Sequence, residues 1–420
     1  MTVELPAVAM IGLGYIGLPT AAVVARSGCR VVGIDVSSRV VETINRGRIH
    51  IEEADLDALV RDVVARGLLQ ASLSVVPADV FVIAVPTPTG EGHAPDIDHV
   101  LAAARSIAPV LRKGNLVILE STSPIGTTEK VRDVLALERP DLAFPRPGSD
   151  GADVSLAYCP ERVLPGHILA ELVGNDRVIG GMTPACSAQA REFYKRFVEG
   201  DCVVTDCRSA EMTKLVENAF RDVNIAFANE LSLLADALDM DVWEVIRLAN
   251  RHPRVNILQP GPGVGGHCIA VDPWFLVHSA PEQTPLIRTA RNVNDGKVGH
   301  VVERATAMIE ESKGPIACFG LAFKADIDDF RESPALAVAE RLADRFGERM
   351  LICEPFISEL PETLAGRGAR LATATQALEQ ASVALLLVDH SEFRGISAAQ
   401  LAGKRIYDTR GVWPRLPLDG

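Results

Sequence analysis

The segment from Gln259 to Asp272 combines a thiol with several glycines and contains the residue types best suited to covalent chemistry. It holds four glycines and two prolines, and Cys268 closely follows Gly265 and Gly266. Because glycine has no Cβ, such a loop adopts positive φ angles and brings main-chain N–H groups near a ligand, where they hold an oxyanion or a phosphate. The segment predicts a nucleophilic cysteine that faces a substrate. The alternative is a tight turn followed by a buried, inert thiol.

The composition indicates a globular protein of more than one domain and argues against several classes of partner. A chain of 420 residues is long for one core, and 48% of its residues are hydrophobic. The net charge of −13 argues against nucleic-acid or membrane-surface binding but leaves room for a small anionic ligand. No signal peptide or membrane-spanning apolar run is visible. The eight cysteines show no CxxC pair or zinc spacing, so we expect reduced thiols, no bound metal and a cytoplasmic location.

An apolar strand beginning at Val8 runs into the glycine motif Gly12-Leu-Gly-Tyr-Ile-Gly17, and a helical pattern follows. In a dinucleotide-binding unit Gly12 gives the tight turn, Gly14 allows the close approach of a pyrophosphate, and Gly17 allows close helix–strand packing. The free N–H groups at the start of the helix then face the pyrophosphate. The order of strand, glycine motif and helix therefore predicts a dinucleotide site.

The second strand, Arg30 to Ile34, is followed by an acid that indicates which dinucleotide binds. Asp35 stands where its carboxylate can accept a hydrogen bond from a ribose hydroxyl and would repel a 2′-phosphate. This position predicts NAD rather than NADP. Arg39 lies close enough in the sequence to keep NADP open as an alternative.

Polar residues follow three more strand-like runs, at the edge where ligands of doubly wound sheets bind. Val80–Val85 and Leu116–Leu119 are apolar, as expected for parallel strands buried on both faces, and a third short strand precedes Pro160. The polar residues after these runs are Thr87, Thr122, Glu161 and Arg162. The two threonines are candidate cofactor or water contacts, or else caps of the following turn. The Glu–Arg pair either faces a cleft or forms a surface ion pair.

A segment without proline or glycine, from Ser209 to Asp239, keeps a helical repeat and predicts an unusually long helix. Three of its polar residues fall at i, i+4 and i+7 and share one face: Lys214, Asn218 and Arg221. Apolar neighbours such as Phe220 and Phe227 predict that the helix is buried on several sides. Polar groups on a buried helix need an anionic or polar ligand, whereas a solvated stripe is the alternative.

The chain restarts near Pro315 with a second α/β pattern. Its strand-like runs are Ile316–Leu321, Met350–Cys353, Val383–Val388 and Arg405–Asp408, with a helix ending near Phe346 after the first of them. This pattern predicts another parallel sheet, so the fold class is α/β with two Rossmann-like domains joined by a long central helix. The first of these strands leads to a loop with Lys324 and Arg331, cations that suit a phosphate or a carboxylate. We expect the site in the cleft between the two α/β domains.

Seven motifs, in order, give the chain a resemblance to the UDP-glucose/GDP-mannose dehydrogenase family over nearly its whole length. They are Gly12-Leu-Gly-Tyr-Ile-Gly17, Val85-Pro-Thr-Pro88, Glu120-Ser-Thr-Ser-Pro124, Pro160-Glu-Arg162, Lys214-Leu-Val-Glu-Asn218, Gly263-Val-Gly-Gly-His-Cys268, and Phe323-Lys324 with Arg331-Glu-Ser-Pro334. Within the family, Pro160–Gly166 and His252–Leu258 resemble the UDP-N-acetyl-D-mannosamine 6-dehydrogenases most closely. UDP-glucose dehydrogenases usually carry a Lys where this chain has Val271, and this departure speaks against UDP-glucose as substrate.

The resemblance implies an NAD-dependent, four-electron oxidation of the C6 hydroxyl of a UDP-sugar to a carboxylate, through a thiohemiacetal and a thioester on Cys268. It divides the chain into an NAD-binding Rossmann domain over residues 1–208, a central helical domain over 209–312 and a UDP-sugar-binding α/β domain over 313–420. The central domain would carry the cysteine loop and form a homodimer along its long helix. In the family, such enzymes supply polysaccharide biosynthesis at bacterial surfaces.

The resemblance also implies a role for each candidate residue. Lys214 would act as the base of the first oxidation, directly or through a water held by Thr122 or Asp272. Lys214 with Asn218 would steady the developing oxyanion. Glu161 or Asp272 would activate the water that hydrolyses the thioester.

Two sets of binding residues follow from the same resemblance. Those implied for the nucleotide sugar are Glu161, Arg162, Val163, Lys214, Asn218, Arg221, Gly265, Lys324 and Arg331, together with His252 and Arg254 from the same chain or its partner. Those implied for NAD are Gly12, Gly14, Tyr15, Ile16, Gly17, Asp35, Thr87 and Thr122, with Arg39 as an open alternative.

Three alternatives stay open at the level of the sequence. The sugar could be UDP-N-acetylglucosamine, UDP-glucose or GDP-mannose. A two-electron 3-hydroxyacid or 6-phosphogluconate-type dehydrogenase also has a Rossmann unit followed by a helical domain, but it needs no cysteine and yields one NADH per substrate. A non-catalytic NAD-binding regulator would have an unreactive Cys268.

Overall fold

The computed structural model of the chain describes residues 5–146, 148, 151–164, 166–266 and 268–414. These residues form two compact units. The first comprises the chain through Glu217 together with Trp274–Ala280, and the second comprises Asn218–Pro273 and the chain from Pro281 onward. None of the described helices combines the length and the apolar character that a membrane span requires.

The first unit is built on an eight-stranded sheet with the strand order of a doubly wound fold. Its strands are β1 (Ala7–Ile11), β2 (Arg30–Ile34), β3 (Leu69–Ser72), β4 (Val80–Ile83), β5 (Leu116–Leu119), β6 (Ser155–Tyr158), β7 (Arg177–Gly181) and β8 (Cys202–Asp206). They lie in the order β3-β2-β1-β4-β5-β6-β7-β8. Strand order reverses at β1, so ligands are expected at the carboxyl ends of β1 and its neighbours.

The last two strands of this sheet run against the others. β6 and β7 pair in antiparallel fashion, with Tyr158 opposite Gly180, whereas β7 and β8 are parallel to each other. The predicted parallel sheet is therefore confirmed from β1 to β6 and differs at this edge. Because antiparallel neighbours are joined at the same end of a sheet, β7 begins at Arg177 beside the end of β6, on the ligand-binding edge.

Helices cover this sheet and bury its apolar strands. They are α1 (Gly17–Arg26), α2 (Ser38–Asn45), α3 (Leu56–Ala65), α4 (Asp98–Ile107), α5 (Thr127–Glu138), α6 (Ile168–Gly174) and α7 (Pro184–Tyr194). All four residues of β4 and all four of β5 are buried, as their unbroken apolar sequence predicts. α1 is buried over most of its length because its side chains are small or apolar.

The long helix α8 (Cys207–Ala237) leads out of the first unit and matches the predicted helix closely. It is buried on one face, which corrects the expectation of burial on several sides. Phe220 and Phe227 are 70% and 53% exposed. The buried face instead meets a later helix, α11 (Pro285–Glu310), through polar side chains such as Asp222 and Asn229.

The second unit contains a smaller five-stranded sheet in which neighbouring strands are parallel. Its strands are β9 (Ile316–Phe319), β10 (Met350–Cys353), β11 (Arg370–Leu371), β12 (Val383–Leu386) and β13 (Arg405–Asp408), in the order β11-β10-β9-β12-β13. The other helices of this unit are α9 (Val242–Ala249), α12 (Pro334–Phe346), α13 (Glu362–Ala365), α14 (Ala374–Gln380), α15 (Ser391–Arg394) and α16 (Ala398–Leu401). Helix α10 (Asp272–Ser279) lies mostly in the segment Trp274–Ala280 of the first unit. The predicted second α/β unit is thus confirmed.

Candidate active site

The glycine loop after β1 has the shape that a bound dinucleotide requires. Gly12 has a φ of +94°, and a Cβ there would lie 2.4 Å from the carbonyl oxygen of Ala84. A Cβ on Gly17 would lie 1.9 Å from the carbonyl oxygen of Gly12. A Cβ on Gly14 would meet nothing within 4 Å, so this residue faces open space. Gly12 and Gly17 therefore serve the turn and the packing, while the predicted contact of Gly14 with a pyrophosphate has open space before it.

The acid after β2 is fixed by its own loop and keeps part of its surface free. Asp35 Oδ2 accepts a hydrogen bond from Leu13 N (3.1 Å) and Oδ1 accepts one from Ser37 N (2.9 Å). The side chain of His50 also lies near Asp35 and Leu13, and burial lowers the pKa of this histidine below its usual value. His50 was not among the candidate residues, because nothing in the sequence around it indicates that its loop returns to the end of β1.

The predicted cofactor residues differ in exposure. Tyr15 is 43% exposed and Ile16 is half-buried at the entry to α1. Arg39 is exposed in the first turn of α2. These positions agree with contacts to the outer parts of a dinucleotide and bury none of the three side chains.

The ends of β4 and β5 are tied to each other. Thr87 Oγ1 donates a hydrogen bond to the carbonyl oxygen of Thr122 (2.6 Å), and Val85 N donates one to Ser121 Oγ (2.9 Å). The structure therefore brings the two candidate threonines together at the carboxyl edge of the sheet. Their Cα positions are set by adjacent parallel strands, which is why strand-end residues far apart in sequence meet here.

Glu161 is drawn into a buried ion pair. Its Oε1 accepts a hydrogen bond from Arg162 N (2.7 Å), and its Oε2 pairs with Arg177 Nη1. Arg177 Nη2 also pairs with Glu120 Oε1 (3.1 Å), which in turn accepts a hydrogen bond from Tyr194 (2.6 Å). Burial raises the pKa of Glu120 to about 7, against the opposing effect of Arg177. The alternative of a surface ion pair between Glu161 and Arg162 is wrong, because Glu161 pairs with the buried Arg177.

Arg162 pairs with a different acid. Its Nη1 lies 2.8 Å from Glu217 Oε1, and its Nη2 donates to the carbonyl oxygen of Asp176. These three residues line a cavity of about 420 Å³ together with Gly174 and Asn175. The neighbouring Val163 is half-buried and packs on the core of the first unit. Pro165, in the same motif, lies outside the described residues.

The three polar residues of α8 have different surroundings. Lys214 is half-buried, and its side chain has no hydrogen-bond or ion-pair partner among the described residues. Asn218 Nδ2 donates a hydrogen bond to Asp272 Oδ2 (2.6 Å), so the structure brings these two candidates together. Arg221 is exposed.

Cys268 is the most accessible cysteine of the chain. Its side chain is exposed, whereas Cys202 is half-buried and the other six cysteines are buried. The carbonyl oxygen of Cys268 accepts hydrogen bonds from Val271 N (3.1 Å) and Asp272 N (2.9 Å), which places the thiol one turn before α10. The alternative of a buried thiol is therefore wrong, and the reactivity of Cys268 stays a prediction. His267 lies outside the described residues.

The glycines before the thiol pack against the loop that carries the C-terminal cations. A Cβ on Gly265 would lie 2.4 Å from the carbonyl oxygen of Glu332, and one on Gly266 would lie 3.0 Å from the ring of Phe323. The same loop holds Lys324, which is exposed, and Arg331, whose guanidinium donates hydrogen bonds to both carboxylate oxygens of Asp329. The thiol loop and the predicted phosphate-binding cations therefore adjoin each other within the second unit.

His252 and Arg254 lie after α9 and are both exposed. Arg254 N donates a hydrogen bond to His252 Nδ1 (3.3 Å), so the two residues form one turn. Neither side chain is held by a buried contact. Their expected contact with a nucleotide sugar stays a prediction.

Comparison with known proteins identifies the family. Three models of the UDP-glucose/GDP-mannose dehydrogenase family match the chain: the NAD binding domain over residues 6–198, the central domain over 208–296 and the UDP binding domain over 317–415. The UDP-N-acetyl-D-mannosamine dehydrogenase of Yersinia pestis is 57% identical over 97% of this chain and 99% of its own length. The NDP-N-acetyl-D-galactosaminuronic acid dehydrogenase of Ralstonia nicotianae is 55% identical over 98% and 97%.

A solved structure agrees with the sequence relatives. The UDP-N-acetyl-mannosamine dehydrogenase Cap5O of S. aureus has a TM-score of 0.85 and 41% identity to this chain, over 98% of this chain and 96% of its own. The two sheets, the glycine loop and the order of the three family domains all agree with this relationship. The chain belongs to the UDP-glucose/GDP-mannose dehydrogenase family of NAD-dependent nucleotide-sugar dehydrogenases.

Proposed function

We propose that the protein oxidises the C6 hydroxyl of UDP-N-acetyl-D-mannosamine to a carboxylate and releases UDP-N-acetyl-D-mannosaminuronate. The observation that carries the proposal is the exposed Cys268 thiol, on a glycine-rich loop whose far end is held by the Asn218–Asp272 hydrogen bond. A two-electron dehydrogenase needs no such thiol. The names of relatives such as that of Yersinia pestis support the choice of sugar.

Residues at the carboxyl edge of the first sheet would hold NAD⁺. Gly14 leaves space for the pyrophosphate, and Asp35 lies where a ribose hydroxyl can donate to it. Thr87 and Thr122 close the edge next to them. When bound, NAD⁺ supplies the hydride acceptor for each of the two oxidations.

The first oxidation needs a base for the hydroxyl proton. Lys214, in its neutral form, takes this proton directly or through a water held by Thr122 or Asp272, while the C6 hydride is removed. The Lys214 amine has no ion-pair partner among the described residues, which supports this role by leaving it accessible to a substrate hydroxyl. Asn218 and the resulting ammonium then stabilise charge on the C6 oxygen.

The thiol converts the aldehyde into the form that can be oxidised again. The Cys268 sulfur bonds to C6, and its proton passes to the aldehyde oxygen, which gives a thiohemiacetal. Loss of the second hydride and of the hydroxyl proton gives a thioester. Water then adds to this carbonyl, the C–S bond breaks, and the products are the carboxylate and the free thiol. Asp272 or Glu161 would accept the proton of that water.

The cations of the site would hold the diphosphate and the sugar. Arg162, Arg221, Lys324 and Arg331 supply positive charge in a chain whose net charge is −13, and Gly265 allows close approach. Val163, His252 and Arg254 are the further contacts proposed for the nucleotide sugar. In this proposal residues 1–208 bind NAD, residues 209–312 carry the cysteine loop, and residues 313–420 bind the UDP moiety.

The exposed face of α8 supports a homodimer. Phe220, Phe227 and Leu234 recur at intervals of seven residues and are 70%, 53% and 54% exposed. Such a contiguous apolar stripe marks an interface. We expect a dimer in light scattering and dissociation by Phe227→Glu. The exposed reduced thiol fits a cytoplasmic enzyme, because a reducing compartment keeps it reactive.

The ratio of NADH formed to sugar consumed tests the function. With UDP-N-acetyl-D-mannosamine the proposal expects two NADH per sugar, read by absorbance. UDP-N-acetylglucosamine, UDP-glucose, GDP-mannose and an N-acetylgalactosamine nucleotide serve as the comparison panel, the last because of the Ralstonia relative. Cys268→Ser should stop the reaction at the aldehyde stage. Complete oxidation by Cys268→Ser would refute the covalent route.

A further inference from the structure

Helices α8 and α11 bury a connected set of polar side chains, although most helix pairs bury apolar ones. Asp222 and Asn229 of α8 are fully buried, and Arg291 and Asn294 of α11 are 2% and 1% exposed. Burying such groups costs stability unless their hydrogen bonds are made. The position of this set therefore needs an explanation beyond the cohesion of the two helices, which Leu or Ile would serve better.

The hydrogen bonds of these side chains form one continuous series, which ends at Gly261 in the cysteine loop. Gly261 N donates to Asn229 Oδ1 (2.9 Å), and Asn229 Nδ2 donates to Asn294 Oδ1 (2.9 Å). Asn294 Nδ2 then donates to Asp222 Oδ1 (2.8 Å). Arg291 Nη1 lies 2.6 Å from the same carboxylate oxygen and supplies its counter-charge.

The Asp222 carboxylate determines which group donates and which accepts in each of these hydrogen bonds. An ionised carboxylate can only accept hydrogen bonds, so Asn294 must turn its amide nitrogen towards Asp222 and its oxygen towards Asn229. Asn229 must then present its own oxygen to the N–H of Gly261. The two amide side chains are thus held in one orientation, and that orientation provides one acceptor for the loop.

A single face of α8 holds the loop at both ends. Asn218 contacts Asp272 at the far end, and Asn229 contacts Gly261 at the near end. Asn218, Asp222 and Asn229 are spaced i, i+4 and i+11, which brings them within about 40° of one another around a helix. Between the two anchors, a Cβ on Gly263 would lie 3.3 Å from the carbonyl oxygen of Asn294.

We propose that Asn229 is a positioning residue, which, oriented through Asn294 and Asp222, fixes the main chain of the loop that presents Cys268. It touches neither sugar nor cofactor, and it acts on the thiol steps through the loop alone. The inference rests on the proposed function, because it assumes that the thiol captures the aldehyde. A displacement of about 1 Å at a reacting group is worth about 10²-fold in rate.

A second buried pair between the same two helices provides a matched control. Lys297 Nζ donates to Ser232 Oγ (2.6 Å), and these residues are 4% and 8% exposed. Among the described residues this pair has no hydrogen bond to the cysteine loop, although Ser232 Oγ also donates to the main-chain carbonyl oxygen of Asn229 (2.6 Å). Ser232→Ala therefore removes a buried polar contact between α8 and α11 and leaves the side-chain hydrogen bonds of Asn229 to Gly261 and Asn294 in place.

Asn229→Ser and Asn229→Asp test the inference in the full-length protein. Serine is too short to reach Gly261 N, whereas aspartate keeps an acceptor for it. For Asn229→Ser we expect NADH per sugar to fall from two towards one, free aldehyde to appear, the second oxidation to slow about 10-fold to 10²-fold, and the KM for the sugar to stay unchanged. Asn229→Asp should give a ratio between that of Asn229→Ser and two, because it keeps the acceptor for Gly261 N and loses the donor to Asn294 Oδ1, and Ser232→Ala should keep two despite a lower Tm.

Alkylation of Cys268 by iodoacetamide gives a readout that does not depend on the sugar. Peptide mass analysis follows Cys268, with the half-buried Cys202 as internal reference. We expect Asn229→Ser to change the rate at Cys268 several-fold and to leave Cys202 unchanged. A wild-type protein that gives no oxidation would refute the proposed function and leave this test in place.

Two results would overturn the inference. One is wild-type stoichiometry and alkylation in Asn229→Ser. The other is equal loss of the second oxidation in Asn229→Ser and Ser232→Ala, which would mean that the buried contacts only hold the helices together. If Asn229→Ser does not fold, Asn294→Ser replaces it, and wild-type values there overturn the inference in the same way.

Discussion

The two sheets begin with the same turn and use it differently. Gly12 N donates to the carbonyl oxygen of Ile34 (2.8 Å), and Gly320 N donates to that of Cys353 (2.8 Å). The φ angles of the two glycines are +94° and +89°. Each glycine follows the first strand of its unit and bonds to the end of the second, so the backbone of the first crossover is repeated.

The residues that would touch a dinucleotide are not repeated. Counting from the shared glycine, Gly14 corresponds to Ala322 and Gly17 to Ala325. Asp35 corresponds to Glu354 because each is the first residue after the second strand of its sheet. The Glu354 carboxylate is only 5% exposed, and its Oε2 accepts from Leu321 N (2.7 Å) and Ala322 N (3.3 Å) and lies 3.2 Å from His390 Nε2.

The carboxylate after the second strand can therefore still accept a hydrogen bond from a ligand in the first unit. In the second unit, protein groups surround it. Asp35 is half-buried and keeps acceptor capacity for a ribose, whereas Glu354 is surrounded by its own loop and by a histidine. The second unit offers Lys324 and Arg331 on that loop instead, and its family model is described as a UDP binding domain. The same turn thus supports a dinucleotide where its acid faces outward and a different nucleotide where basic residues replace it.

The largest effect on stability is expected from a methyl group at Gly17, the closely packed end of the glycine loop after β1. Gly17→Ala would place a Cβ 1.9 Å from the carbonyl oxygen of Gly12, and backbone must move to relieve it. We expect a loss of about 3 kcal/mol in the free energy of unfolding, the upper part of the usual range for overpacking. Urea denaturation measures it. Ala325→Gly, at the matching position, should cost less than about 1 kcal/mol. Equal stability of Gly17→Ala and wild type would mean that the first loop is not closed as described.

Replacement of each of the two acids by its amide should separate an effect on NAD⁺ binding from an effect on stability. Asp35→Asn removes a charge that would face ribose, so we expect the KM for NAD⁺ to rise about tenfold, equivalent to about 1.4 kcal/mol, with NADP⁺ becoming a better cofactor. Glu354→Gln should lower the Tm and leave the KM for NAD⁺ unchanged, because that carboxylate holds only its own loop. A raised KM for NAD⁺ in Glu354→Gln would contradict the division of roles.

A methyl group at the open glycine should affect the cofactor and spare the fold. Because a Cβ on Gly14 meets nothing within 4 Å, Gly14→Ala is expected to keep the wild-type Tm. The methyl would occupy space needed by the pyrophosphate, so the KM for NAD⁺ should rise severalfold, the equivalent of about 1 kcal/mol. The reverse change in the second unit, Ala322→Gly, should leave that KM alone. A lowered Tm with normal KM in Gly14→Ala would place this glycine in the packing.

Much of the fold followed from the sequence because its strands are short apolar runs with polar ends. β2, β5, β10 and β13 lie where they were predicted, residue for residue. The glycine motif and Asp35 were also correct in position, since local geometry determines both. The exposure of Phe220 and Phe227 was missed, because an apolar residue on a helix looks the same in sequence whether or not the core covers it.

The contacts that the sequence could not predict join residues that meet only when separate strands or helices pack together. Arg177 reads as an ordinary strand residue, and its burial against Glu161 depends on the antiparallel return of β7. Asn229 and Asn294 are 65 positions apart and meet only because α8 and α11 pack together. Periodicity identifies which face of a helix is apolar, but it does not indicate which polar residues on two helices will pair.

A last difference, seen as a pH dependence, concerns the strand beside β4 in the first sheet and the strand beside β12 in the second. Glu120 N donates to the carbonyl oxygen of Ile83 (2.9 Å) at the end of β5, and Thr409 N donates to that of Leu386 (3.1 Å) at the end of β13. The first sheet thus buries an ionisable group where the second buries a hydroxyl. Burial raises the pKa of Glu120 from 4.5 to about 7.

This difference should make only the first position pH-sensitive. Between pH 4.5 and about 7 the folded protein holds a proton on Glu120 that the unfolded chain has lost, so its contribution to stability is present at low pH and is lost as the pH rises through 7. One proton limits the slope to about 1.4 kcal/mol per pH unit. Glu120→Gln, which mimics the neutral acid, should flatten the decline in the free energy of unfolding measured from pH 5 to 8. Thr409→Val should lower stability by a constant amount, because it loses one hydrogen bond and no titrating group. An unchanged slope in Glu120→Gln would mean that Arg177 keeps Glu120 ionised in the folded protein.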